Sequence, residues 1–135
     1  MATHEFLEHT GETVLLVRAD TVDELFAEAA QALGELEREG IPGTGNTVSR
    51  GIRQEAQDLA SLLVDWLNEL IFLSETETAV PVRAVVRIAQ PGRLVAEVAL
   101  ARLERRPALV KAATHHRLRL AEEPYGWVGE VTLDV

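Results

Sequence analysis

The chain has 135 residues, 47% hydrophobic and 26% charged, a composition that supports one packed core and excludes disorder as its main state. Lys and Arg number 13 against 22 Asp and Glu, a net charge of −9, which argues against a domain whose main work is gripping a nucleic-acid backbone, although a local basic patch stays open. Cysteine is absent, which removes disulfides, thiolate metal sites and a cysteine nucleophile together.

Met1 to His9 is polar and acidic where a signal peptide would place a basic patch and an apolar stretch, and no run of about 18 apolar residues occurs. A cytoplasmic protein without membrane contact is expected. Phe6 to Thr10 and Val14 to Val17 read as two short strands around a turn or bulge at Gly11, where a missing Cβ permits unusual backbone angles. Thr21-Val22-Asp23-Glu24 has the form of a capping box, so a helix begins there. Val22, Leu25, Phe26, Ala29, Leu33 and Leu36 recur at three- and four-residue steps, opposite Glu28, Glu35 and Glu39. Gly40 to Gly45 ends that helix.

Asn46 to Gln57 suits a strand exposed on one face. Asp58 reads as the N-cap of the strongest helix, whose Leu59, Leu62, Leu63, Trp66, Leu67, Leu70 and Ile71 form a wide apolar stripe. Val80 to Ala89 and Leu94 to Leu103 flank Pro91-Gly92 and predict a β-hairpin. Leu109 to Ala113, His116 to Leu120 and Trp127 to Val135 supply further strands; in the last, Val128, Glu130, Thr132 and Asp134 share one face. The order ββαβα followed by strands predicts an α+β fold. It is one continuous domain over residues 1–135, two layers, with both helices packed on one side of a mixed or antiparallel sheet.

Chemistry-bearing residues are few. His115 and His116 are adjacent, and on a regular strand adjacent side chains point to opposite faces, so a shared zinc site is poorly supported. No HExxH, GxSxG or phosphate-cradling Gly-Lys-Ser/Thr motif is present. By residue type alone Glu12 is a solvated turn acid, Asp134 a solvated acid near the end of the last strand, and His9 a polar residue closing a strand. Lys111, the one lysine beside twelve arginines, reads as a strand lysine snorkelling to water. Spacing does not connect these residues.

A resemblance does. Phe6-Leu7-Glu8-His9-Thr10-Gly11-Glu12 resembles the Phe-x-Asp/Glu-His-Thr-Ala-Asp signature of the archease family. The helix segment Leu62 to Ile71 resembles that family's central helix, and Val110-Lys111-Ala112-Ala113-Thr114-His115-His116 its Val-Lys-Ala-x-Thr-Tyr-His strand. Leu133-Asp134-Val135 resembles its closing Asp-Ile. The blocks run in family order along nearly the whole chain. Glu12 stands where the family has Asp, Gly11 where it has Ala, His115 where it has Tyr and Val135 where it has Ile.

The resemblance implies a non-catalytic protein cofactor of an RtcB-type RNA ligase. It would promote ligase guanylylation and repeated turnover in tRNA splicing or RNA repair, without strong RNA binding of its own. It also implies a divalent cation, Ca²⁺ with Mg²⁺ as the alternative, held by Glu12, Asp134 and an oxygen of Val135, a hard-oxygen set that suits such ions. His9, Lys111, Thr114 and His116 are its candidate partner-facing residues. Two other readings stand beside it: a small metal-dependent hydrolase that activates water at Glu12 and Asp134, and a chaperone-like interaction module without metal function.

Overall fold

The computed structural model describes residues 1–135, the side chain of His9 excepted. The elements in chain order are β1 (Thr3–His9), β2 (Glu12–Ala19), α1 (Val22–Arg38), β3 (Gly43–Glu55), α2 (Leu59–Glu77), β4 (Ala79–Ala89), β5 (Arg93–Leu103), β6 (Ala112–Glu123) and β7 (Gly126–Asp134). The α+β class is as expected.

Local chemistry sets the element ends. Gly11 has φ +73°, a left-handed conformation that lets a two-residue turn close β1 onto β2 with His9 opposite Glu12. At the start of α1 the Glu24 N–H donates to Thr21 Oγ1 at 3.1 Å, and the Thr21 hydroxyl donates to the Glu24 carboxylate at 3.0 Å. This capping box therefore closes through the hydroxyl. Asp58 caps α2 by accepting from Ser61 N–H at 2.8 Å, and that backbone hydrogen bond holds its carboxyl below the usual range.

The strands form two antiparallel sheets, a four-stranded one in the order β1-β2-β7-β6 and a three-stranded one in the order β3-β5-β4. The expectation of one sheet is refined by what occupies the edges. Along β4, Asp23 of α1 accepts the Ile88 N–H at 3.0 Å, and a Cβ on Gly34 of α1 would lie 1.8 Å from the Pro81 carbonyl oxygen. Glycine is what allows the helix backbone to lie against that strand. At the free edge of β6, the Asn68 side chain of α2 accepts from Ala113 N–H at 2.8 Å and donates to the Ala113 carbonyl at 3.1 Å. The Ile88 N–H on the β4 edge and both backbone groups of Ala113 on the β6 edge are thus satisfied by helix side chains and not by another strand.

One core lies between the elements. Leu15, Val17, Leu25, Phe26, Leu33, Leu62, Leu63, Leu67, Leu70, Leu94, Val98, Leu100 and Leu133 all belong to it. Trp66 is fully buried and its indole N–H donates to the Phe26 carbonyl at 2.9 Å, tying α2 to α1. Glu37 of α1 is 3% exposed and accepts from the Ser74 hydroxyl of α2 at 2.8 Å. On the first strand, the ring nitrogens of His4 lie 2.6 Å from a Glu28 carboxylate oxygen and 2.8 Å from a Glu35 one, so that the protonated ring donates to both and clips β1 to α1.

Candidate functional site

Sequence separation hides the main relationship in the site. In the β2–β7 ladder Glu12 is the direct partner of Asp134, and residues opposite one another on antiparallel strands share a face with Cβ atoms about 5 Å apart. The row continues outward to His9 on β1 and Ala112 on β6. The His9 side chain lies outside the described residues.

Glu12 is half-buried and Asp134 exposed, and among the described residues neither has an ion-pair partner. Like charges directly opposite on a sheet repel. Such a pair gains from a cation that both carboxylates can approach, and its hard oxygens suit Ca²⁺ or Mg²⁺. Among the described residues no group of three or more His, Asp and Glu is placed to hold a metal. A cation here would therefore complete its shell with main-chain oxygens and water. Val135 is half-buried and packs against the core, which holds the backbone beside Asp134 in place.

The Asp134 carbonyl is already engaged, accepting from the Lys111 N–H at 2.8 Å. That bond sets the segment before β6 beside the carboxylate pair, while the Lys111 side chain is exposed. Thr114 is half-buried; its hydroxyl donates to the Thr132 carbonyl at 2.9 Å and accepts from His116 N–H at 3.4 Å. Its side chain therefore serves the backbone locally.

Between Thr114 and Arg119 the β6–β7 register shifts: their partners are Thr132 and Glu130, so His115 to Leu118 stand against Val131 alone. This large bulge projects His115, His116 and Arg117, all exposed. Arg117 has φ +54°, a left-handed conformation that costs a non-glycine residue about 1 kcal/mol. The strand alternation expected for His115 and His116 does not hold inside the bulge, because the extra residues leave the ladder. The bulge also joins the two separate segments expected around it into one strand, while Leu109 and Val110 lie outside it.

Sequence reasoning missed two positioning residues. Asn68, within the helix block already singled out, anchors the Ala113 backbone and with it the start of β6; a polar residue inside an apolar helix face was the available signal. His4 had no such signal, since Glu28 and Glu35 approach it only through packing.

Residues 4–135 match the Archease protein family (MTH1598/TM1083). Among curated proteins, the chain is 32% identical over 140 residues to the protein archease of Methanosarcina mazei, covering 98% of this chain and 95% of that one. It is 31% identical over 140 residues to the protein archease of Methanopyrus kandleri, covering 97% and 98%. Among solved structures, Methanobacterium thermoautotrophicum protein 1598 aligns with a TM-score of 0.67 at 24% identity, and 98% of each chain is covered. A Thermotoga maritima archease, described as a possible chaperone, aligns with a TM-score of 0.66 at 20% identity over 98% of each chain. These last two likenesses concern the fold. With a family match from residue 4 to residue 135, this chain belongs to the archease family.

Proposed function

We propose that this protein is a cytoplasmic, non-catalytic accessory protein that activates an RtcB-type RNA ligase, promoting its guanylylation and repeated turnover in tRNA splicing or RNA repair. The observation that carries the reading is the in-register pairing of Glu12 with Asp134, two acids that the family resemblance relates and that sequence distance separates. Among the described residues, no helix is long and apolar enough to cross a membrane.

In this reading Glu12 and Asp134 hold a divalent cation through their carboxylates, and Val135 offers a main-chain oxygen. The cation supplies positive charge that cancels the repulsion between the two acids. The chain's own residues do the rest. Gly11 sets the turn that brings His9 opposite Glu12, the Lys111 N–H holds the Asp134 carbonyl, and Asn68 fixes the strand carrying Thr114 and His116. Lys111 and His116, both exposed, are free to face the ligase. The Thermotoga maritima archease is described as a possible chaperone, and a chaperone-like role here is compatible with binding an enzyme to promote its activation.

The test has two arms. Calcium titration by calorimetry should show binding to the wild type that weakens at least tenfold in Asp134→Ala, about 1.4 kcal/mol. Guanylylation of the cognate ligase, followed with and without the protein, should be faster with it and less so with Asp134→Ala. A ligase indifferent to the protein would sink the accessory role, and phosphoester turnover by the protein alone would replace it with the hydrolase reading.

A further inference from the structure

The three-stranded sheet turns Ile52, Val86, Leu94, Ala96 and Val98 toward the core, and among the described residues no helix covers its opposite face, whose side chains are almost all exposed. Across β3, β5 and β4 that outer face reads in rows: Ser49, Ala99 and Arg83; Gly51, Glu97 and Val85; Arg53, Val95 and Arg87; Glu55, Arg93 and Ala89. Four guanidinium groups thus stand among two carboxylates, a net +2 on a chain whose total is −9. Arg93 is paired with Glu55 at 3.1 Å. Among the described residues, Arg53, Arg83 and Arg87 have no ion-pair partner.

Placement matters more than the count. Arg53 stands on the β3 flank and Arg83 and Arg87 on the β4 flank, with Val95 on the central strand between Arg53 and Arg87. Val85 is 63% and Val95 40% exposed. Exposed valines set among arginines that lack an acidic partner give the mixed apolar and guanidinium composition of a protein-binding patch. The face has no aromatic side chain on which a nucleic-acid base could stack, and the acidic remainder of the chain repels a polyphosphate.

We propose that this face docks an acidic amphipathic helix of a protein partner. The dimensions agree: outer strands of a three-stranded sheet are roughly 10 Å apart, and a helix with its side chains is about 10–12 Å across. Laid along β5, such a helix sets its apolar stripe on Val95 and Ala99 of β5, with Val85 of β4 beside them. Carboxylates on its two sides meet Arg53 on one flank and Arg83 and Arg87 on the other. The planar guanidinium groups can each take a carboxylate in a bidentate pair. Glu97, in the middle row, disfavours a ligand that is acidic on every side and so selects an acid-flanked apolar stripe. This docking surface is independent of the Glu12 and Asp134 pair, which lies on the other sheet.

The experiment uses the full chain and a labelled synthetic helical peptide of about 24 residues, long enough to follow β5, with a leucine stripe flanked on both sides by glutamates. Fluorescence anisotropy should show binding that weakens as salt rises. The triple variant Arg53→Glu, Arg83→Glu, Arg87→Glu should lose at least about tenfold in affinity and should gain binding to a second peptide with lysines in place of the glutamates. That exchange of preference separates docking from a failure to fold. No binding by the wild type, equal binding of both peptides, unchanged affinity in the triple variant, or tighter binding of a single-stranded RNA of about 20 nucleotides would each overturn the proposal.

Discussion

Glu37 makes the stability of this protein depend on pH in a way that one substitution can isolate. Burial pushes its carboxyl from the ordinary 4.5 up to about 8; the Ser74 hydroxyl works in the opposite direction, and the Glu75 charge adds to the rise. Between those two pH values the folded chain holds this proton and the unfolded chain has released it. Stability from this group is therefore fully present below pH 4.5 and is lost as pH rises through about 8. At 1.36 kcal/mol per pH unit, the loss across that window is about 3 to 5 kcal/mol, a large part of the ~5–15 kcal/mol that holds a domain of this kind folded. Glu37→Gln keeps a carbonyl oxygen to accept from Ser74 and removes the titration. Urea unfolding of both proteins at intervals from pH 5 to pH 9 should give a difference in unfolding free energy that moves by roughly 3 kcal/mol or more in favour of the variant. Other titrating groups cancel in that difference. If it stays constant within about 0.5 kcal/mol, Glu37 is not held protonated by the fold.

Trp66→Ala should cost about 3 to 5 kcal/mol in urea unfolding, through a cavity at a fully buried site and the loss of the hydrogen bond to Phe26; a loss below ~1 kcal/mol would contradict that placement. For His4, burial opposes the charge, but the hydrogen bonds to Glu28 and Glu35 outweigh it and raise its pKa above 6.5. Its contribution is thus fully present below pH 6.5 and lost as pH rises through the higher folded value. An NMR titration should find the His4 imidazole above 6.5 in the wild type and lower in Glu28→Gln; a histidine unmoved by that substitution would show that the clip does not set its protonation.

Much of this molecule is determined by short stretches of sequence, because the forces concerned act over a few residues. Thr21 and Asp58 satisfy N–H groups three residues ahead, so both helix starts are readable without knowing what packs on them. Pro91 and Gly92 mark the β4–β5 hairpin, and alternation along β7 sorts Glu130, Thr132 and Asp134 onto the face away from Val131 and Leu133. The family blocks made Glu12 and Asp134 candidates, but their pairing belongs to a ladder between chain segments at opposite ends of the sequence. Residue spacing carries no information about such a partner. The division into two sheets was likewise hidden, since it depends on α1 covering the β4 edge and on Asn68 saturating Ala113. The bulge at His115 to Leu118 breaks the period on which strand reading relies. Glu37 in an amphipathic helix looks like a surface acid until Ser74 is packed against it. Arg53, Arg83 and Arg87 look like scattered surface charge until β3, β5 and β4 align them. Caps, turns and periodicity are local and sequence alone determines them; sheet partners, edge cover and the gathering of charge depend on distant segments meeting, and only the tertiary structure decides them.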